Sequence, residues 1–478
     1  MNNRQTFFVT SPIFYPNAQP HLGHAYTTLL CDVLARHHRL VGDEAYFLTG
    51  TDEHTEKVVQ AAKAQGQKPE EYLEEIVARF KNLYQKLDIS YDQFIRTSDQ
   101  KIHLPGAIEM WNRLVTAGDL YKSSYIGLYC VGHEAFMTEK ELVDGLCPDH
   151  GMAPEKVTEV NWFFRLSKYA SQIEKFIADG TLPIIPESRK KEILSFIRSG
   201  VQDVSFSRPK EKMTWGIPVP NDPGQTMYIW VDALTNYITA LGFGRGEELM
   251  RFWPGMHVIG KDILRFHTVF WPAMLLSANL PLPKMVFVHG TIISNGKKMS
   301  KTLGNVINPY ELIKKYGTDA TRYLLLRHVH STEDTDVTWE KLDEWYTANL
   351  TNGLGNLIAR VMQMATTYLQ GPVEMTPETQ SDTDVAAHLE KFEFNHAMDS
   401  IWERIGHDDA LIAIEKPFAG VKSDEENVRD EALLIIKKLV RELHAIATDL
   451  EPFMPSTSAQ IKEAVLAHKK PENLFPRI

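Results

Sequence analysis

Between residues 6 and 115 the chain alternates short apolar runs with stretches of helical pattern. Phe7, Phe8 and Val9 form a strand-like run that breaks at Pro12 and Pro16, and residues 25–40 then read as a helix. Residues 46–52 form a second strand ending in a polar loop, and 56–65 and 70–87 read as helices. Such alternation predicts a parallel, doubly wound α/β sheet, whose ligands sit at the carboxyl ends of the strands. Asp52, Glu53 and His54 fall at one such end, although any one of them could simply cap the helix that follows.

The pattern loosens after residue 117. Residues 121–150 are loop-rich, and 161–220 continue the interruption with helices predicted at 168–179 and 187–199. Residues 227–231, including Trp230, restore a buried strand pattern, and the helix after them carries Asp232, Ala233, Leu234 and Tyr237. A further strand ends in Gly260 and Asp262, a helix is predicted at 263–276, and 286–289 is another short strand. Past Trp345 the chain turns helical. Leu433, Ile436, Val440, Leu443, Ile446 and Leu450 recur at three- and four-residue steps, the apolar face of a long helix ending before Pro452. The expected organisation is a sheet domain in two halves (1–117 and 223–288) around an insertion (118–222), a connecting segment (289–345) and a helical domain (346–478).

Composition narrows the partners. With 478 residues, 43% of them hydrophobic, a large core is available. Fifty-one Lys and Arg against 62 Asp and Glu leave a net charge of −11, so a polynucleotide partner would need a local basic patch. Three cysteines cannot form a disulfide framework, which favours a reducing compartment or a metal site. No signal-like segment precedes the first strand, and no apolar run approaches the roughly 20 residues of a membrane span. A cytoplasmic protein without a membrane partner is expected.

Three stretches carry candidate chemistry. His21-Leu22-Gly23-His24 stands where a strand and turn give way to a helix N-terminus, with two imidazoles on one face and no side chain at Gly23. Backbone N–H groups, the helix dipole and two ring donors suit a phosphate, though histidines at a helix start can also be caps. Lys297, Lys298, Ser300 and Lys301 lie between Gly296 and Gly304, two glycines able to act as hinges for a cationic loop that closes over a polyphosphate, or else they form a solvated turn. Cys130 and His133 are followed after 13 residues by Cys147 and His150, the spacing of a small zinc knuckle. Gly260 and Asp262 offer a further place for a nucleotide ribose.

The His21 and Lys298 stretches, 274 residues apart, together resemble the two signatures of the class I aminoacyl-tRNA synthetases. Residues 11–15, 49–54, the Cys/His pairs, 215–218, 228–233, 260–263 and His267 are similar to the methionyl-tRNA synthetases across residues 5–365. That resemblance implies a Rossmann-type catalytic domain interrupted by a zinc-knuckle connective insertion and followed by an all-α bundle that reads the anticodon. It implies a methionine pocket of Ile13, Tyr15, Trp230, Ala233, Leu234, Tyr237, Ile263 and His267, with Asp52 on the substrate ammonium. It places ATP, with Mg2+, on His21, Gly23, His24, Gly260, Asp262, Lys298, Ser300 and Lys301. His21, His24, Lys298 and Lys301 then stabilise the transferring phosphate and departing pyrophosphate, and Cys130, His133, Cys147 and His150 hold one Zn2+. The implied partners are L-methionine, ATP and both initiator and elongator tRNA-Met. A monomer is expected, since the dimerising module of some relatives is lacking. An insertion this small leaves no room for the editing domain of the isoleucyl, valyl and leucyl enzymes.

The helical domain departs from the family pattern. Asp409-Ala410-Leu411 and Pro417-Phe418 stand where relatives carry an Asn-Arg-Tyr run and a Pro-Trp pair, with Asp408 beside them. Two carboxylates beside an anticodon would repel phosphate. They are the one support for an alternative, an adenylating paralogue whose helical domain serves another acceptor or partner. A small-molecule nucleotidylyltransferase would share His-x-Gly-His but would be shorter and would need neither the lysine loop nor a helical bundle.

Overall fold

Six parallel strands form the central sheet: β1 (Thr6–Phe14), β2 (Glu44–Thr51), β3 (Gln93–Arg96), β4 (Ile184–Ile185), β5 (Met256–Gly260) and β6 (Met285–His289), in the order β3-β2-β1-β5-β6-β4. Central strands of a parallel sheet are covered on both faces, and Phe8, Val9, Phe47, Leu48, Val258 and Phe287 are accordingly at most 2% exposed. The computed structural model describes residues 4–130, 132, 135–137, 139, 142–148, 151–246, 248–299, 305–375 and 383–478. Two compact units result: Met1–Pro20, Val41–Asn82 and Ser90–His289 in the first, and His21–Leu40, Leu83–Ile89 and Gly290–Ile478 in the second.

Three expectations are corrected in the first unit. Pro12 does not end β1. Proline lacks the N–H that a ladder needs, so the register shifts between Thr10 and Ile13, and pairing with β2 resumes through Phe14. Residues 229–231 are not a strand either: Ile229–Thr239 is a helix, α2, buried along its whole length. A short apolar run fits a buried helix as well as a buried strand, and here the partner surface decides. Finally, part of the interval 118–222 returns to the main sheet, because Ile184 and Ile185 pair with β6. The remainder includes an antiparallel sheet built on Leu120–Cys130 and Glu155–Phe164.

In the second unit, helix α1 (Leu22–Leu40) is tied to the helical region by a fully buried guanidinium. Arg322 pairs with Asp32 at 2.7 Å and donates to the carbonyls of Leu87, Pro452 and Phe453. Asp32 also receives Arg36 at 2.9 Å, so the buried charge is fully partnered. Strands β7 (Ile292–Ser294), β8 (Lys297–Lys298) and β9 (Thr335–Asp336) make a small sheet. Helices α3 (Asn356–Tyr368), α4 (Thr383–Glu390), α5 (Phe394–Glu415) and α6 (Glu426–Leu450) follow. Five of the six residues predicted for the apolar face of α6, Ile436, Val440, Leu443, Ile446 and Leu450, are buried, and Leu433 is half-buried. Among the described residues, no helix is long and apolar enough to cross a membrane.

Candidate active site

All nine residues assigned to methionine by resemblance lie in the first unit. Trp230, Ala233, Leu234 and Tyr237 come from α2, and Ile13, Tyr15 and Ile263 pack against the same core. His267 sits in a π-helical turn, Phe266–Phe270, a distortion frequent at functional positions. The indole of Trp230 stacks on Phe266, with ring centroids 3.7 Å apart, and meets His267 edge-on. Its Nε1 is buried without a hydrogen-bond acceptor among the described residues. A buried donor left open is what a wall built to meet a ligand can show.

The protonation of His267 follows from its bonds. Its Nδ1 lies 3.0 Å from the carbonyl of Ile263, which can only accept, so Nδ1 carries the proton. Nε2 must then accept from the Tyr237 hydroxyl at 2.6 Å. Burial lowers its pKa to about 4, and the ring is neutral at physiological pH. Behind it, His257 is oriented by Thr10 and by the Trp271 indole, and its pKa also falls well below the usual value through burial and the nearby His267. The aromatic wall is therefore rigid and uncharged.

Asp52 sits directly after β2, 2% exposed, its N–H bonded to the carbonyl of Phe14 between Ile13 and Tyr15. The two residues that follow lock this strand end. Glu53 accepts from Thr51, Arg96 and Ser98, and its carbonyl accepts from the Trp215 indole. The ring of His54 contacts Asp232 at 2.6 Å, and His103 contacts the other Asp232 oxygen at 2.5 Å. Burial alone would raise the pKa of Asp232, but the two imidazoles draw it down to about 2. Asp232 thus joins the Asp52 strand end to the helix that supplies Trp230 and Tyr237. Sequence reasoning gave Asp232 no role. The signal was there: a carboxylate inside an apolar helix requires buried partners. Gly260 and Asp262 lie where expected, at the end of β5 and in the single turn after it.

His21, Gly23, His24 and Lys298 belong to the second unit. The two rings stack with centroids 3.6 Å apart. The N–H of His21 donates to His24 Nδ1 at 3.2 Å, and the N–H of Gly23 donates to His21 Nδ1 at 3.1 Å. Both rings are therefore caps after all, and both are held as Nε2–H tautomers that present donors rather than charge. Burial, with the neighbouring His21, lowers the pKa of His24 well below the usual value. A Cβ at Gly23 would lie 3.1 Å from the His21 ring, so a side chain there would press on the stack.

Gly296 is not the hinge expected of it. Asn295 and Gly296 both take positive φ and form a two-residue hairpin turn between β7 and β8, and the Gly296 N–H donates to Asp336 at 3.1 Å. Lys297 and Lys298 are exposed on this supported hairpin, whose Lys298 carbonyl accepts from Asn305 at 3.3 Å. Ser300, Lys301 and Gly304 lie outside the described residues.

Cys130 and Cys147 are buried together in a small cluster with Met137 and Leu142. Two thiols converging in a loop-rich segment fit a zinc site. His133 and His150 lie outside the described residues.

The acidic pair of the helical domain is not the pair of bare surface charges expected. Asp408 is 6% exposed within α5, and Asp409 pairs with Arg360 of α3 at 2.8 Å. One carboxylate is turned inward and the other carries its own counter-charge, so neither presents bare negative charge to RNA. The alternative reading of the helical domain loses its support. Phe418 is exposed, at 45%.

Residues 7–160 and 150–362 match the protein family described as tRNA synthetases class I (M). The methionine-tRNA ligase of Caldanaerobacter subterraneus subsp. tengcongensis is 41% identical over 476 residues, covering 96% of this chain and 74% of that protein. The methionine-tRNA ligase of Clostridium acetobutylicum is 41% identical over 478 residues, covering 97% and 73%. The solved structure of Mycobacterium tuberculosis methionyl-tRNA synthetase in complex with methionyl-adenylate is similar with a TM-score of 0.88 at 34% identity, covering 99% of this chain and 98% of that one.

Proposed function

The chain belongs to the class I tRNA synthetases, and from that premise we propose how its own residues divide the work of methionine activation. It is an enzyme that activates L-methionine with ATP to methionyl-adenylate and transfers the methionyl group to tRNA. The observation that carries the assignment of residues is the uncharged wall of Trp230, Phe266, Tyr237 and His267 in the same unit as the buried carboxylate of Asp52. Polarizable aromatic walls suit a thioether, and a carboxylate suits an ammonium. Asp52 holds the α-amino group, and Ile13, Tyr15, Ala233, Leu234 and Ile263 complete the pocket.

The methionine carboxylate attacks the α-phosphate of ATP in line, forming the mixed anhydride and releasing pyrophosphate. The protein has little covalent work to do, so positioning and electrostatics supply most of the acceleration. The Nε2–H donors of His21 and His24 follow the phosphoryl oxygens as charge builds. Because both rings are held neutral as donors, they act as hydrogen-bond groups and do not need protonation. Lys298 and Lys301, with Ser300, take the pyrophosphate, and Gly260 and Asp262 take the ribose. Mg2+ accompanies ATP and neutralises its phosphates. Cys130, Cys147, His133 and His150 hold a structural Zn2+. The helical region meets tRNA, and the enzyme works as a cytoplasmic monomer. Methionine-dependent exchange of labelled pyrophosphate into ATP, followed by charging of initiator and elongator tRNA-Met, tests this reading. Exchange supported equally by leucine or isoleucine would overturn the pocket assignment, and exchange without charging would overturn the assigned acceptor.

A further inference from the structure

The corner between α4 and α5 carries a side-chain cluster that methionine activation does not use. His388 lies in the last turn of α4, Glu393 stands immediately before α5, and His396 lies in the first turn of α5. The backbone of this corner is closely specified. The N–H groups of Lys391 and Glu393 both donate to the carbonyl of His388, at 3.1 and 2.9 Å, and Phe392 takes a left-handed φ of 62°. Leu389, Phe392 and Phe394 are buried beneath it. Ser331 fixes the start of α5, accepting from the Phe394 N–H at 3.0 Å and donating to Asn395 at 2.8 Å.

On this frame three donors converge. His388 Nδ1 is 2.7 Å from a Glu393 oxygen, the His388 and His396 rings are 5.7 Å apart and edge-on, and one ligating atom from each residue lies within 4.8 Å of the others. Glu393 occupies the helix N-cap position yet makes no side-chain bond to the helix amides. Its carboxylate is turned toward the His388 imidazole instead.

We propose that His388, Glu393 and His396 form a binding site for one divalent transition-metal ion of the zinc, nickel or cobalt kind, stapling α4 to α5. Two imidazoles and one carboxylate are the donor set that such ions take, whereas Mg2+ and Ca2+ require mostly oxygen. A carboxylate–imidazole hydrogen bond would need only two of the three groups. Ligation at about 2.0–2.2 Å from the ion asks the 2.7 Å His388–Glu393 contact to open by about 0.3 Å for octahedral and about 0.7 Å for tetrahedral coordination. His396, exposed and on the helix surface, closes by side-chain rotation. Water completes the coordination.

The test uses the full-length protein freed of metal by chelation and titrated with Co2+. Thiolate ligation at Cys130 and Cys147 gives intense near-ultraviolet charge-transfer absorption, whereas ligation by two imidazoles and a carboxylate gives only weak visible bands, so the two sites are counted separately. We expect equilibrium dialysis to show one equivalent of Co2+ without a thiolate signature. That equivalent is lost in His396→Asn and is held about tenfold or more weakly in Glu393→Gln. The circular dichroism of His396→Asn, an exposed position, should match the parent. Added Co2+ should raise the melting temperature of a Cys130→Ser/Cys147→Ser variant, and should not do so when His396→Asn is combined with it. Failure of the parent to bind this equivalent, or unchanged binding in His396→Asn, overturns the proposal.

Discussion

Replacing Asp408 by asparagine should stabilise the helical region, and more so as pH rises. Asp408 is buried in α5, and one of its oxygens has no hydrogen-bond partner among the described residues. Burial raises its pKa most, and Glu442 of α6 and the neighbouring Asp409 add to the rise; Arg404 and Lys438 only partly offset them, leaving the carboxyl at about 7. An unfolded aspartate titrates near its ordinary value of 3.8. The folded state therefore prefers the protonated carboxyl, and the stability this group contributes is complete below 3.8 and is lost as pH climbs to about 7. At about 1.36 kcal/mol per pH unit the loss reaches about 4 kcal/mol, an upper value because water relaxation around the charge reduces it. The side chain of the Asp408→Asn variant has the same shape without the charge. Its amide brings a hydrogen-bonding cost of its own, but that cost does not change with pH. The robust quantity is thus the gap between variant and parent, which should widen by roughly 2–3 kcal/mol between pH 5 and pH 8. Hydrogen exchange of the α5 and α6 amides, with both proteins compared at each pH so that intrinsic rates cancel, reads this gap as an opening free energy. A gap that stays constant from pH 5 to pH 8 refutes the reasoning, because an Asp408 that is ionised throughout in both states has no reason to respond.

Tyr237→Phe removes the hydroxyl that donates to His267 Nε2 and leaves a buried acceptor open. A cost of about 1–3 kcal/mol corresponds to a methionine KM raised about fivefold to a hundredfold in pyrophosphate exchange, with the KM for ATP unchanged. Lys298→Ala should slow adenylate formation by about 10²–10³-fold while methionine binding, followed by tryptophan fluorescence, stays the same; equal losses in both would contradict a role confined to the transition state. Arg322→Met removes one of the two guanidinium partners of buried Asp32 and leaves the carbonyls of Leu87, Pro452 and Phe453 without their donor, which together should cost about 3–5 kcal/mol, seen as a lower melting temperature. Adding Asp32→Asn should recover part of that loss, and no recovery would mean that the carbonyl bonds of Arg322 matter more than its charge.

The candidate site residues could be picked out in the sequence because binding a nucleotide or an amino acid calls for particular residue types at element ends. His21, His24, Asp52, Gly260 and Asp262 all stand at the strand or helix termini where the alternating pattern placed them. The errors arose where local pattern is ambiguous. Residues 229–231 fit a strand or a buried helix equally well, Pro12 marks either an end or a bulge, and Gly296 serves either a hinge or a tight hairpin. Asp408 looked like a surface acid because aspartate is rarely buried, and nothing near it in the chain revealed the packing of α5 against α6.

Legible in the sequence were the alternation of strands and helices, the two signatures 274 residues apart, the apolar stripe of α6 and the residue types of the proposed methionine wall. These are written in period and composition, which depend on near neighbours. Folding alone brings Asp232 between His54 and His103, which lie 178 and 129 residues away, and closes Arg322 on Asp32. A buried charge is tolerable only beside its partner. No local rule says from which distant segment that partner comes, so such pairs become visible only when the chain is folded.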